Sequence, residues 1–182
     1  MTCIAAVTDG KTVTIGGDSA GVAGLGMQIR ADEKVFVNGP FVMGFTSSFR
    51  MGQLLRYKFT PPAWDENDSD VHKFMCTKFV DSLRTCLADG GFRRKKDEAE
   101  YGGCFLVGYR GGIFYIDTDF QVGTLRDDFA AVGCGEDVAL GAMHALPEAE
   151  PNDRVLAGLR AAHRFSAGVR PPFEVVVGGA SQ

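Results

Sequence analysis

An α+β fold of two stacked antiparallel sheets, with helices on both outer faces, is predicted by the order of segments in this chain. Three observations carry the prediction. Apolar strand-like runs come in adjacent pairs: 2–8 with 11–16, 34–38 with 41–45, and 104–109 with 113–117. Two helical stretches follow the first strand group and two more follow the second. A last strand-like run, 173–177, comes after them all. The 182 residues suffice for one domain, spanning 1–182, with a core in two or more layers.

Each element has a local reason. Asp9-Gly10 reads as a two-residue hairpin turn, because glycine accepts the positive φ of a type I′ turn. Residues 21–26 are glycine-rich and read as loop. Gly39-Pro40 turns the second strand pair. Residues 47–57 read as a helix with Met51, Leu54 and Leu55 on one face. Pro61-Pro62 and the acidic stretch 65–70 read as a loop within the domain. A long helix starts near Ser69, with Val71, Phe74, Met75, Phe79, Leu83 and Leu87 at helical spacing, and Gly90-Gly91 stop it. Arg93-Arg94-Lys95-Lys96, followed by Asp97, Glu98 and Glu100, reads as a solvated mixed-charge loop. Arg110-Gly111-Gly112 joins the third pair, and 128–132 adds a strand. Helices follow at 137–146, ended by Pro147, and from Asn152, with Val155, Leu156, Leu159, Ala162 and Phe165 on one face.

Composition narrows the function classes. A net charge of −4 gives no reason to expect nucleic acid. No apolar stretch approaches the roughly 20 residues of a membrane span, and no secretory signal is read at the start. A cytoplasmic location is expected. The five cysteines and three histidines show no metal-ligand spacing. Free thiols, no metal and no cofactor are expected.

Thr2 follows Met1 directly and opens the first strand. Methionine removal generally occurs when the next residue is small, and threonine qualifies. Thr2 would then carry a hydroxyl nucleophile and a free α-amine on one residue, and the amine can serve as the base. An ordinary α-amine titrates near ~7.7–8.0, so a modest downward shift makes it usable at neutral pH. With Met1 attached that nitrogen is an amide and cannot act as a base. Asp18 lies 16 positions after Thr2, in Gly16-Gly17-Asp18-Ser19, and Lys34 lies 32 positions after it. A lysine beside Thr2 favours loss of the hydroxyl proton, and an aspartate beside the lysine holds it charged.

Taken together, the spacing Thr2–Asp18–Lys34 and the motifs TVTIGGDSAG, KVFVNGPFVMGF, FLVGYRGGIFYID and AAVGCGEDVALGAMHAL resemble the proteasome β-subunit and HslV peptidase family. The resemblance runs in order along nearly the whole chain. It implies a four-layer αββα sandwich and a threonine-type endopeptidase acting on unfolded polypeptide or peptides. It also implies homo-oligomeric stacked rings and an ATPase unfoldase partner; the chain itself has no P-loop. By position it implies Gly44 as the backbone donor to the oxyanion. Cys134 stands where the family commonly has a serine, and a thiol is a poorer donor. Ser166 fits an Asp-x-x-Ser-Gly turn in which His163 replaces the aspartate. Gly21, Phe36, Val42 and Thr46 are placed near the side-chain pocket, which would favour an apolar or medium-sized residue before the cut. Three other readings stand beside this one: a catalytically inactive ring subunit, a small-molecule amidase with an N-terminal nucleophile, and Cys3 as the nucleophile.

Overall fold

The computed structural model describes residues 1–180. Its strands are β1 (Cys3–Thr8), β2 (Val13–Gly17), β3 (Ala20–Ala23), β4 (Gly26–Ile29), β5 (Val35–Asn38), β6 (Phe41–Phe45), β7 (Arg94–Lys96), β8 (Ala99–Tyr101), β9 (Phe105–Tyr109), β10 (Gly112–Ile116), β11 (Val122–Thr124), β12 (Phe129–Gly133) and β13 (Glu174–Gly178). The helices are α1 (Phe49–Tyr57), α2 (Val71–Phe74), α3 (Val80–Asp89), α4 (Glu136–His144) and α5 (Pro151–Phe165). A π-helical turn, Met75–Phe79, joins α2 to α3. One sheet runs β12-β1-β2-β13 and the other β11-β10-β9-β6-β5, both antiparallel.

Strand parity builds three cores. In β1 the odd residues Cys3, Ala5 and Val7 pack on Ala139 and Met143 of α4 and Val155, Leu159 and Ala162 of α5. The even residues Ile4 and Ala6 face Val35, Val42 and Leu106 of the other sheet. In β6 the odd residues Phe41, Met43 and Phe45 meet α1 and the α2–α3 helix, and the even residue Val42 faces the first sheet. Both sheets are thus covered on both faces, giving the αββα order of layers.

Gly44 sits in the middle of β6, paired with Val35 and Leu106. A Cβ there would lie 2.6 Å from Ile4 Cγ2 and 2.8 Å from Ile15 Cγ2. The missing side chain lets the two sheets approach. Gly44→Ala is therefore expected to lower stability by about 1–3 kcal/mol through overpacking, read as a shifted urea midpoint at unchanged slope.

Four local readings are corrected. Thr8 pairs with Val13, so the first hairpin has a four-residue loop rather than a two-residue turn. Its Asp9 carboxylate accepts from Lys11 N at 2.8 Å and Thr12 N at 2.6 Å. The glycine-rich segment is a hairpin, β3–β4, whose second strand is exposed throughout. The mixed-charge loop is also a hairpin, β7–β8, with Asp97 and Glu98 at positive φ in the turn. β11 is an additional three-residue strand beside β10.

Candidate active site

Asp18 and Lys34 meet Thr2 because of the strand pairing. The β1–β2 register sets Ile4 against Gly17, so the next residue, Asp18, lies beside the start of β1. A Cβ on Gly17 would be 2.9 Å from Ile4, 3.1 Å from Val35 and 3.6 Å from Lys34 Cβ. A residue without a side chain there lets the Lys34 segment pass close over β2. Thr2 immediately precedes β1 and presents its hydroxyl to Lys34, while Cys3 packs toward the helices.

The ammonium of Lys34 donates to Thr2 Oγ1 at 3.0 Å and to Asp18 Oδ1 at 2.8 Å. The Lys34 and Asp18 side chains are 1% and 0% exposed, so this is a buried ion pair. Asp18 is itself held by backbone from three places: Cys3 N at 3.1 Å on Oδ1, and Ala20 N at 3.0 Å and Arg170 N at 3.1 Å on Oδ2. Burial pushes the Lys34 pKa down, and the adjacent Asp18 charge opposes that shift. Thr2 Oγ1 donates to the Met1 carbonyl at 2.6 Å. The Met1 side chain rests on Gly168.

Cys134 and Ser166 flank this cluster. Cys134 Sγ is 3.2 Å from Ser166 Oγ, which also donates to Cys134 O at 3.4 Å. The preceding residue, Gly133, lies against the Thr2 carbonyl, and a Cβ there would be 3.4 Å from Thr46 Oγ1. The Cys134 turn therefore lies beside Thr2, with Thr46 close to the same point. His163 lies apart from Thr2: its Nδ1 is 3.0 Å from Val169 O and ties down the turn that presents Arg170 N to Asp18.

The remaining site expectations divide. Gly21 lines a cavity of about 440 Å³ with Met27, Arg30 and Phe49. Arg30 stacks on Phe49 at 4.1 Å and bonds both oxygens of Asp32 at 2.6 Å. Phe36 and Val42 are corrected. Phe36 is buried in the core against the helices and Val42 between the sheets, so neither opens to a ligand. Gly44 is corrected likewise, because its backbone lies within a strand paired on both sides. The sequence reading missed Phe49, Arg30 and Ser47. Ser47 has φ 66 just before the Ser48 cap of α1. A serine at a strand-to-helix junction was the one available signal. Cys3 is fully buried, and its thiol is pushed up to about 12, mainly by desolvation and then by Asp18. It stays protonated at neutral pH, which weighs against Cys3 as nucleophile.

No protein-family model matches this chain, and no curated protein matches it. Solved structures match over nearly its whole length. Thiobacillus denitrificans BPH, solved in complex with epoxomicin, is 22% identical, with a TM-score of 0.79 over 99% of this chain and 100% of that one. Eukaryotic HslV from Trypanosoma brucei is 19% identical, with a TM-score of 0.67 over 96% of this chain and 98% of that one. The Gly-1 mutant of Anbu from Hyphomicrobium sp. strain MC1 is 15% identical, with a TM-score of 0.67 over 97% and 81%. The four-layer αββα fold is thus shared with the BPH, HslV and Anbu chains.

Proposed function

We propose that the chain, once Met1 is removed, is a threonine-type endopeptidase. The observation that carries this reading is the buried Lys34 ammonium bridging Thr2 Oγ1 and Asp18. The freed Thr2 amine takes the Oγ1 proton as the oxygen attacks a peptide carbonyl. Lys34 lowers the energy of the forming alkoxide and disfavours protonation of the amine. The tetrahedral intermediate collapses to an ester on Thr2. The amine's proton goes to the leaving nitrogen. Water then enters with the same amine as base, and the acid product departs. In place of Gly44, the developing oxyanion is assigned to the backbone N–H groups of Ser47 and Phe49 at the start of α1, since Ser48 N is taken by Thr46 O at 2.7 Å and Arg50 N by Ser48 Oγ at 3.1 Å. The Cys134–Ser166 pair borders the amine and orders water there. The Gly21–Phe49 cavity takes the side chain before the cut.

The shared fold supports homo-oligomeric stacked rings fed by an ATPase unfoldase in the cytoplasm, with 1–182 as one domain. No helix among the described residues is long and apolar enough to cross a membrane.

The test is covalent labelling. Protein verified by intact mass to begin at Thr2 is incubated with a peptide epoxyketone and mapped by mass spectrometry. The expected result is one adduct on Thr2, lost in Thr2→Ala. Absence of label on verified protein would favour a non-catalytic ring subunit.

A further inference from the structure

The start of α1 separates two cavities. Phe49 lines the one under the β3–β4 hairpin, and its ring lies 5.7 Å from Lys34 Nζ. Ser47 and Ser48, the two residues before it, line a second cavity of about 720 Å³. Its far wall is the β7–β8 hairpin, with Arg94, Lys95, Lys96 and Tyr101. A path from Thr2 across the first turn of α1 therefore runs into a basic wall.

That hairpin is anchored to the site. Cys104 N donates to Ser47 Oγ at 3.0 Å, and Gly102 N donates to Thr118 O at 2.8 Å. A Cβ on Gly103 would lie 3.1 Å from Ser47 Cβ. The chain leaving β8 is thus fastened to Ser47, the residue before the cap of α1.

Charge divides by face. Glu100 is engaged by Arg84 at 2.8 Å and Arg93 at 3.2 Å, with Lys95 at 3.9 Å. Lys95 pairs with Glu100 across the hairpin, so Arg94 and Lys96 take the opposite face, with Tyr101 across from Arg94. Among the described residues, Arg94 and Lys96 have no ion-pair partner within 4.0 Å. Asp97 and Glu98 make the turn at positive φ, and neither carboxylate lies within 4.0 Å of the Arg94 or Lys96 nitrogens. In a chain of net charge −4, this is a local concentration of unneutralised cations.

We infer that this cavity is a subsite for an acidic stretch of the polypeptide substrate, several residues removed from the bond cut at Thr2. The inference rests on the peptidase reading and adds a substrate class to it. Arg94 offers a planar fork for carboxylates, Lys96 a point charge, and Tyr101 an apolar surface for intervening residues. The attraction acts between exposed groups and weakens as salt shortens the Debye length.

The test uses fluorogenic peptides sharing one cleavable core, unextended or carrying four glutamates or four lysines before or after it. Cleavage is measured as kcat/KM. Binding of the same peptides to the Thr2→Ala variant is measured by fluorescence anisotropy. The glutamate extension is expected to be favoured over the lysine extension by about tenfold at low salt in both readouts. Arg94→Glu/Lys96→Glu is expected to reverse that preference, and Lys11→Glu, at the opposite end of β1, to leave it intact. Equal binding of the two extensions, or a preference that survives the double reversal, would overturn the subsite. Binding preference without any cleavage supports the subsite and counts against the peptidase reading. Cleavage without charge preference counts against the subsite alone.

Discussion

Lys34→Met is expected to cut turnover by orders of magnitude and to destabilise the fold together. Removing one partner of a buried ion pair leaves the Asp18 carboxylate uncompensated, at about 3–5 kcal/mol. Three backbone N–H groups still hold that carboxylate, so the lower end of this range is expected. Turnover should fall by about 10²–10³-fold or more, the scale of losing a preorganised electrostatic group at the reacting oxygen. Urea unfolding and peptide hydrolysis at matched folded fraction separate the two effects. Lys34→Met/Asp18→Asn should recover part of the stability and none of the activity. Near-normal hydrolysis by Lys34→Met would remove Lys34 from the mechanism. The pH dependence has a defined sign. Burial pulls the Lys34 pKa below its ordinary 10.5, so the ammonium is lost, and activity with it, at lower pH than for an exposed lysine. The same shift means the folded state releases this proton more readily than the unfolded chain. Its contribution to stability therefore rises with pH across the window from the depressed value up to 10.5.

The second large effect concerns Met1. A chain retaining it is expected to be folded and inert, while one beginning at Thr2 hydrolyses peptides. The α-nitrogen of Thr2 is an amide in the first case and cannot accept a proton. The hydroxyl meanwhile donates to the Met1 carbonyl at 2.6 Å. Loss of general-base assistance alone is worth about 10²–10⁴-fold, and the Met1 residue also fills the space over Gly168. Intact mass fixes which amino terminus is present, and hydrolysis is compared at equal concentration and equal melting temperature. Comparable rates from the two forms would exclude the Thr2 amine as the base.

The layer order and the Thr2–Asp18–Lys34 cluster were legible in the sequence for one reason. Strand pairing turns a spacing along the chain into a distance in space. Asp18 follows a strand that pairs with β1, and Lys34 precedes one that crosses over it. Phe36, Val42 and Gly44 were misread because parity within β5 and β6 decides what each residue faces. Those strands are covered on both sides, so their inner residues meet core on either face. Both short hairpins escaped notice for a different reason. β3–β4 and β7–β8 are largely exposed two-stranded ribbons, and they carry neither apolar alternation nor an Asn-Gly turn. Ser47 and Phe49 were legible only as helix residues, since their importance comes from what α1 begins beside.

The carboxylate of Asp18 is gripped by Arg170 N, 152 residues further along the chain. During synthesis, every intermediate short of Arg170 holds Thr2, Asp18 and Lys34 with only two of the three backbone donors to that carboxylate. On the peptidase reading, the centre's alignment is therefore completed late, by a turn far along the polypeptide from the groups it orders.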